Sequence, residues 1–172
     1  MIEMKKLLLT FGIIITIATT SFAQKAIGVR FGTGLASSIG AELSYQQPLN
    51  NNRLEIDFGA AGGFSIVGDD YYSFSFSLTA AYQWKFNIVN GFNWYVGPAA
   101  SAGLNFVQND KKIEGPTLGI GGQLGIEYDF SSKGIPLQLS LDTRPMIYLF
   151  NTTFFQSGGS TLGIGLSLRY AF

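Results

Sequence analysis

Residues 162–172 read Leu-Gly-Ile-Gly-Leu-Ser-Leu-Arg-Tyr-Ala-Phe. Every even position (Leu162, Ile164, Leu166, Leu168, Tyr170, Phe172) is large and apolar, and every odd one (Gly163, Gly165, Ser167, Arg169, Ala171) is small or polar. Side chains of a β-strand point alternately to opposite faces. This segment is therefore a strand with one greasy face and one that can meet water or charge. The constraint is tight, because a slip of one residue would exchange the two faces.

The same period recurs in eight segments separated by turn-rich breaks. The first, near 25–35, sets Ile27, Val29, Phe31 and Leu35 against Gly28, Arg30, Gly32 and Gly34; the second, 38–47, sets Ile39, Leu43 and Tyr45 against Gly40, Glu42, Ser44 and Gln46. Pro48-Leu49-Asn50-Asn51-Asn52 then breaks the chain with strong turn chemistry. The third, 53–65, carries Leu54, Ile56, Phe58 and Phe64 opposite Glu55, Asp57 and Gly59, and the fourth, 73–84, carries Phe74, Phe76, Leu78, Tyr82 and Trp84 opposite Ser73, Ser75, Ser77, Thr79 and Gln83. The fifth, 92–106, opposes Phe92, Trp94, Val96, Leu104 and Phe106 to Asn93, Tyr95, Ser101 and Asn105. The sixth, 116–129, opposes Leu118, Ile120, Leu124, Ile126 and Tyr128 to Gly119, Gly121, Gln123, Gly125 and Glu127. The seventh, 136–149, opposes Leu137, Leu139, Leu141, Ile147 and Leu149 to Gln138, Ser140, Asp142 and Arg144, and 160–172 is the eighth. One domain without a linker is expected.

Residues 1–23 have the parts of a cleaved secretory signal: Lys5 and Lys6, an apolar stretch from Leu7 to Thr20, and Ser21-Phe22-Ala23 before Gln24. The stretch is shorter than the ~20 residues of a spanning helix. Domain 24–172 remains. Losing Glu3, Lys5 and Lys6 takes the counts from 11 basic and 11 acidic residues to nine and ten, a formal charge of −1. No basic excess points to nucleic acid, and with Cys 0 there is no disulfide or thiol chemistry.

A soluble sandwich or barrel shows the same alternation with its greasy face inward. Three features point instead to a barrel that turns this face to lipid. Nearly every strand charge (Arg30, Glu42, Glu55, Asp57, Glu127, Asp142, Arg144, Arg169) lies on the polar face. That face is otherwise mostly Gly, Ser, Ala and Gln, which suits a crowded lumen. Aromatic residues gather at strand ends: Tyr45, Tyr82, Trp84, Phe92, Trp94, Tyr128, Tyr170 and Phe172 at one rim; Phe64, Tyr71, Tyr72, Phe74, Phe106, Phe154 and Phe155 near the other. Two aromatic girdles around an apolar band mark an outer-membrane barrel. The expected fold is all-β, an eight-stranded antiparallel up-and-down transmembrane β-barrel preceded by a cleaved signal peptide, with both termini periplasmic.

On these residues the chain resembles the small eight-stranded bacterial outer-membrane β-barrels of the OmpA/OmpX-like class. The resemblance covers essentially all of 25–172, and its most specific piece is the strand ending Leu168-Arg169-Tyr170-Ala171-Phe172. It implies that Leu168, Tyr170 and Phe172 are an assembly signal, read by the outer-membrane barrel-assembly machinery. Ser140-Leu-Asp-Thr-Arg-Pro145 is also similar to a segment common in such barrels. The class holds anchors, adhesins and a few enzymes, so fold does not settle function.

The count His 0 removes the usual general base and the commonest metal ligand. The lipid-modifying enzymes built on such barrels rely on His, so none of their sites carries over. No catalytic, cofactor or metal site is expected, and Asp69-Asp70 reads as a solvated loop. The one notable constellation sets Arg30, Arg144 and Arg169 against Glu42, Glu55, Asp57, Glu127 and Asp142. It is either a selective polar pore or a salt-bridge plug. Eight strands leave an interior that side chains just fill, and buried charges persist when paired; a plug is expected. Pro98 and Pro145 fall inside strands, as bulges near a rim or as a lateral gate for a lipid tail. Short loops near 36–38, 66–72, 107–115 and 150–159, with Lys111-Lys112 and Phe154-Phe155 among them, carry any surface contact. The expected role is non-enzymatic, structural or surface-interactive, for a monomer among outer-membrane lipids. A narrow pore or carrier for small polar solutes and a lipid-handling enzyme are the alternatives.

Overall fold

A computed structural model of the chain describes residues 24–33, 39–64, 72–108, 115–150 and 160–172. Residues 1–23, the Asp69-Asp70, Lys111-Lys112 and Phe154-Phe155 pairs, and the aromatics Tyr71, Phe154 and Phe155 lie outside the described residues. Strands β1 (Ala26–Thr33), β2 (Ile39–Leu49), β3 (Asn52–Phe64), β4 (Tyr72–Val89), β5 (Phe92–Gln108), β6 (Pro116–Asp129), β7 (Leu137–Phe150) and β8 (Ser160–Ala171) form a closed barrel in chain order. All neighbours are antiparallel, and β1 pairs with β8 from Ala26↔Ala171 to Gly32↔Gly165. Main-chain bonds between Lys25 and Phe172, 3.0 and 2.8 Å, extend that closure beyond the last strand pair.

The tight turns share one end of the barrel with the termini. Asn50 (φ 57°) starts the two-residue β2–β3 connection, and Asn90 (φ 26°) with Gly91 (φ 85°) makes the β4–β5 connection. Two consecutive positive φ values match the right-handed twist of a hairpin, which is why Asn-Gly is favoured there. A short 3-10 turn, Phe130–Lys133, links β6 to β7; Asp129 caps it by accepting from Ser131 N, and Gly134 leaves it at φ 76°. The expected break over 48–52 is narrower in fact, because Pro48 and Asn52 are both strand residues.

The two faces fall where alternation places them. On β8, Leu162, Ile164, Leu166, Leu168 and Tyr170 are exposed, as is Phe172 just past its end, while Ser167 and Arg169 are fully buried. The buried set is otherwise strongly polar, from Arg30 and Ser44 through Gln83 and Gln123 to Asp142 and Arg144, and most large apolar side chains face outward. This is the reverse of a water-soluble protein. The outer band runs from Phe31, Leu43 and Phe58 through Phe76 and Leu78 to Ile120 and Leu141. Near the turn end it meets aromatic pairs: Phe86 stacks on Trp94 at 4.5 Å, Tyr82 lies edge-on to Trp84 at 5.7 Å, and Tyr128 edge-on to Phe130 at 4.7 Å.

Pro98 and Pro145 are not bulges near a rim, and that expectation is corrected. The β4–β5 ladder stops at Ala81↔Ala99 and resumes at Trp84↔Val96 in the same register. The β6–β7 ladder stops at Gly121↔Met146 and resumes at Leu124↔Thr143, again in register. Proline has no N–H to give one neighbour, yet nothing forces an extra residue into the strand. On its other side each proline stays paired, Pro98 with Gly122 and Pro145 with Leu162. The register therefore aligns Pro98, Gly122 and Pro145 in one row across three mid-barrel strands. Glycine flanks the row because backbone comes close there: a Cβ on Gly97 would lie 1.7 Å from Tyr82 O, and one on Gly121 2.0 Å from Pro145 O. The register shifts that do occur lie between Asn87 and Val89, and between Leu118 and Gly119.

Candidate functional site

The inward positions of the turn-end half carry charge, and the barrel closes them into one connected network. Arg30 on β1 donates from Nε and Nη2 to Asp142 on β7, the latter at 2.7 Å, and from Nη1 to Glu42 on β2 at 3.1 Å. Glu42 Oε2 also accepts from Arg144 Nη1 at 2.8 Å. Arg144 Nη2 reaches Glu55 Oε1 at 2.7 Å and pairs with Asp57. Glu55 passes the network on to Arg169 through Oε2 at 2.9 Å. Arg169, with no measurable exposure, donates in addition to Ser44, Ser140 and Ser167.

The rest of the network adds neutral residues of the same inward face, together with Arg53 and Lys85, which were not among the expected lumen charges. Gln46 and Gln123 donate to Glu55, and Gln83 Nε2 donates to Gln123 Oε1 at 2.8 Å. Arg53 donates to Gln83 and pairs with Glu127, whose other oxygen lies 3.1 Å from Lys85 Nζ. Tyr95 lies under the Arg53 guanidinium, 4.6 Å from ring centroid to Cζ, and its hydroxyl donates to Asp142 at 3.4 Å.

All eight expected lumen residues thus belong to one network. The expected set was incomplete by two cations. Arg53 has the parity of Glu55 and Asp57, so the β3 pattern contained it. Lys85 has the parity of Gln83 but lies past the expected end of β4 at 84. The paired groups are Arg30, Arg53, Lys85, Arg144 and Arg169 against Glu42, Glu55, Asp57, Glu127 and Asp142. Formal charge cancels, as a low-dielectric interior requires. The Ser140–Pro145 segment also acquires a structural role, since its inward positions Ser140, Asp142 and Arg144 hold Arg169, Arg30 and the β2–β3 carboxylates.

The loop-end half of the lumen is different. Above Arg30, Glu42 and Arg144 lies a cavity of about 80 Å³, walled by Gly59, Ala61, Ser77, Ser101, Thr117 and Tyr148 among others. Ser75 there donates to Ala61 O at 3.5 Å. Small side chains and hydroxyls replace the long charged ones among the described residues, so the lumen is filled at the turn end and holds a cavity toward the loop end. Among the described residues no group of three or more Asp and Glu has metal-binding geometry. Leu168 and Tyr170 stand on the outer face of β8, exposed by 49% and 52%, and Phe172, one residue past the strand, is exposed by 60%.

This geometry, a closed eight-stranded up-and-down barrel with a polar interior and an apolar exterior, is the fold of the small outer-membrane β-barrels. Solved structures agree. The crystal structure of neisserial surface protein A (NspA) matches with a TM-score of 0.57 and 14% identity, over 87% of this chain and 95% of that one. The crystal structure of Ail, the attachment invasion locus protein of Yersinia pestis, matches with a TM-score of 0.55 and 13% identity, over 87% and 97%. The backbone structure of Ail in a phospholipid bilayer nanodisc gives 0.50 and 15%, over 87% and 99%. No family model and no curated protein matches the chain.

Proposed function

We propose that the chain is a non-enzymatic integral protein of the bacterial outer membrane, monomeric, with periplasmic termini, a plugged lumen and its loop end displayed at the surface. The observation that carries this reading is the unbroken network from Asp142 through Arg30, Glu42, Arg144 and Glu55 to Arg169. Its members are oppositely charged and, apart from the part-exposed Glu42, buried, so ions passing the turn-end half would have to break several buried pairs at once. The apolar band, bounded by aromatics near the turn end, supports residence in lipid. The matched neighbours include a surface protein and an attachment invasion protein, which favours surface interaction over a purely structural role. On the same reading, outward Leu168, Tyr170 and Phe172 are the marks that the barrel-assembly machinery reads.

The test has two arms. The protein is expected to fractionate with outer membranes and to shift mobility on gels when boiled. Purified protein in planar bilayers is expected to give no steady single-channel steps. Soluble periplasmic recovery would overturn the location, and regular conductance steps would overturn the plug in favour of a pore.

A further inference from the structure

The hollow loop-end half has the makings of a binding site, and its walls restrict what it takes. The floor is charged yet offers little to an anion. The Arg30 and Arg144 side chains are only 3% and 6% exposed and are turned onto carboxylates, whereas the Glu42 side chain is 20% exposed. An anion entering the cup meets the carboxylate first. A cation fares no better, because both guanidiniums already converge on Glu42 Oε2 at 3.1 and 2.8 Å and would repel it. A neutral hydroxyl escapes both penalties and can donate to Glu42. The walls suit the same chemistry: Ser77, Ser101, Thr79 and Thr117 supply hydroxyls, and Gly59, Ala61 and the Tyr148 ring supply flat apolar surface.

We propose that the cup binds a neutral polyhydroxy compound, a short polyol or a single terminal sugar, with its hydroxyls on Glu42 and the Ser/Thr wall and its C–H face on glycine, alanine and Tyr148. The volume of about 80 Å³ is several times the ~10–15 Å³ that one water needs. A short polyol fits inside, and a sugar fits if the rest of it leaves through the loop end. The source is either a free solute or the end sugar of an outer-leaflet glycolipid. This inference rests on the reading that the loop end faces outward.

The test uses the full barrel in phospholipid nanodiscs, with backbone amide NMR as the readout. Glycerol and D-glucose are titrated against sodium phosphate and methylammonium chloride, and a second nanodisc carries lipopolysaccharide. The polyols are expected to move Gly59, Ser77, Gly103 and Gly119 in fast exchange, with a Kd of the order of 1 mM, while Ser140 and Ser167 stay still. If the free polyols do nothing and lipopolysaccharide moves the same residues, the ligand is the glycolipid sugar, and the proposal stands with that source. Ser77→Met, which fills the cup, is expected to weaken binding by about tenfold or more. Ser101→Ala, a milder change, is expected to weaken it measurably if Ser77→Met fails to fold. The proposal is overturned if neither polyol nor lipopolysaccharide moves the cup residues. It is equally overturned if phosphate or methylammonium moves them as strongly, or if Ser77→Met binds as the parent does. Boiling-dependent mobility reports the barrel independently, so loss of the cup ligand and loss of the membrane reading are separable.

Discussion

The two halves of the lumen are built from the same strands, yet they obey opposite rules. In the turn-end half the inward positions carry Arg53, Glu55, Gln83, Gln123, Glu127, Asp142 and Arg169, all buried. In the loop-end half the same alternating positions on the same strands carry Gly59, Ser77, Ser101, Gly103 and Thr117 around a cavity. Barrel radius is set by strand number and stagger, not by contents. Whether a narrow barrel is sealed or hollow at a given height is therefore decided by side-chain length alone. The long side chains must also neutralise one another, so sealing brings a network that the short side chains around the cavity do not need.

That contrast can be broken by mutation, and the largest effect is expected at the hub. Arg144→Met leaves Glu42, Glu55 and Asp57 short of a partner, and is expected to cost about 3–5 kcal/mol, read as a fall in the urea midpoint of the barrel in lipid vesicles. A loss below ~1 kcal/mol would show that water reaches the plug and screens it. Next comes the boundary between inside and outside. Leu78→Arg, on the exposed face of β4, is expected to cost about 2–4 kcal/mol near the bilayer midplane. Ser77→Asn, one residue away and lining the cup, is expected to cost much less. Equal costs would contradict the assignment of faces.

Smaller effects sharpen the comparison. Ser140→Ala removes a 2.7 Å bond from Arg169 Nη1 and is expected to cost about 1–3 kcal/mol, because a charged donor loses a neutral acceptor in a buried place. Ser101→Ala, in the cup wall, is expected to stay within about 0.5 kcal/mol of the parent. If the two serines cost the same, the lumen is uniform and the division into halves is wrong.

Strand number, order and the facing of side chains were legible because period-two alternation leaves no choice of register when one face meets lipid. Segment 116–129 matches β6 residue for residue. What alternation does not carry is where a strand stops and what touches across the lumen. The expected fourth segment stopped at 84, although the alternation runs on through Phe86 and Ile88, both exposed, and the Asn90-Gly91 hairpin and β5 keep β4 paired to Val89. Lys85 was missed for that reason. Pro98 and Pro145 were read as bulges because each deletes a ladder bond, but glycine beside them lets the strands close up in register. The Arg30–Asp142 pair joins residues 112 apart in the chain, and such wiring follows only once the barrel closes. The lack of charge balance in the expected set, three arginines against five carboxylates, was the available sign that cations were missing.

The central claim, that one half of the lumen is sealed and the other holds an accessible cavity, is tested most directly by thiol accessibility. The chain has Cys 0, so each introduced cysteine reports alone. Ser77→Cys and Ser167→Cys, one in the cup wall and one fully buried in the plug, are exposed to a small neutral reagent, methyl methanethiosulfonate, in the folded barrel and again after unfolding in urea. The expected result is rapid modification at 77 in the folded protein, and modification at 167 only after unfolding. Comparable rates at the two positions in the folded barrel, or faster reaction at 167, would contradict the account.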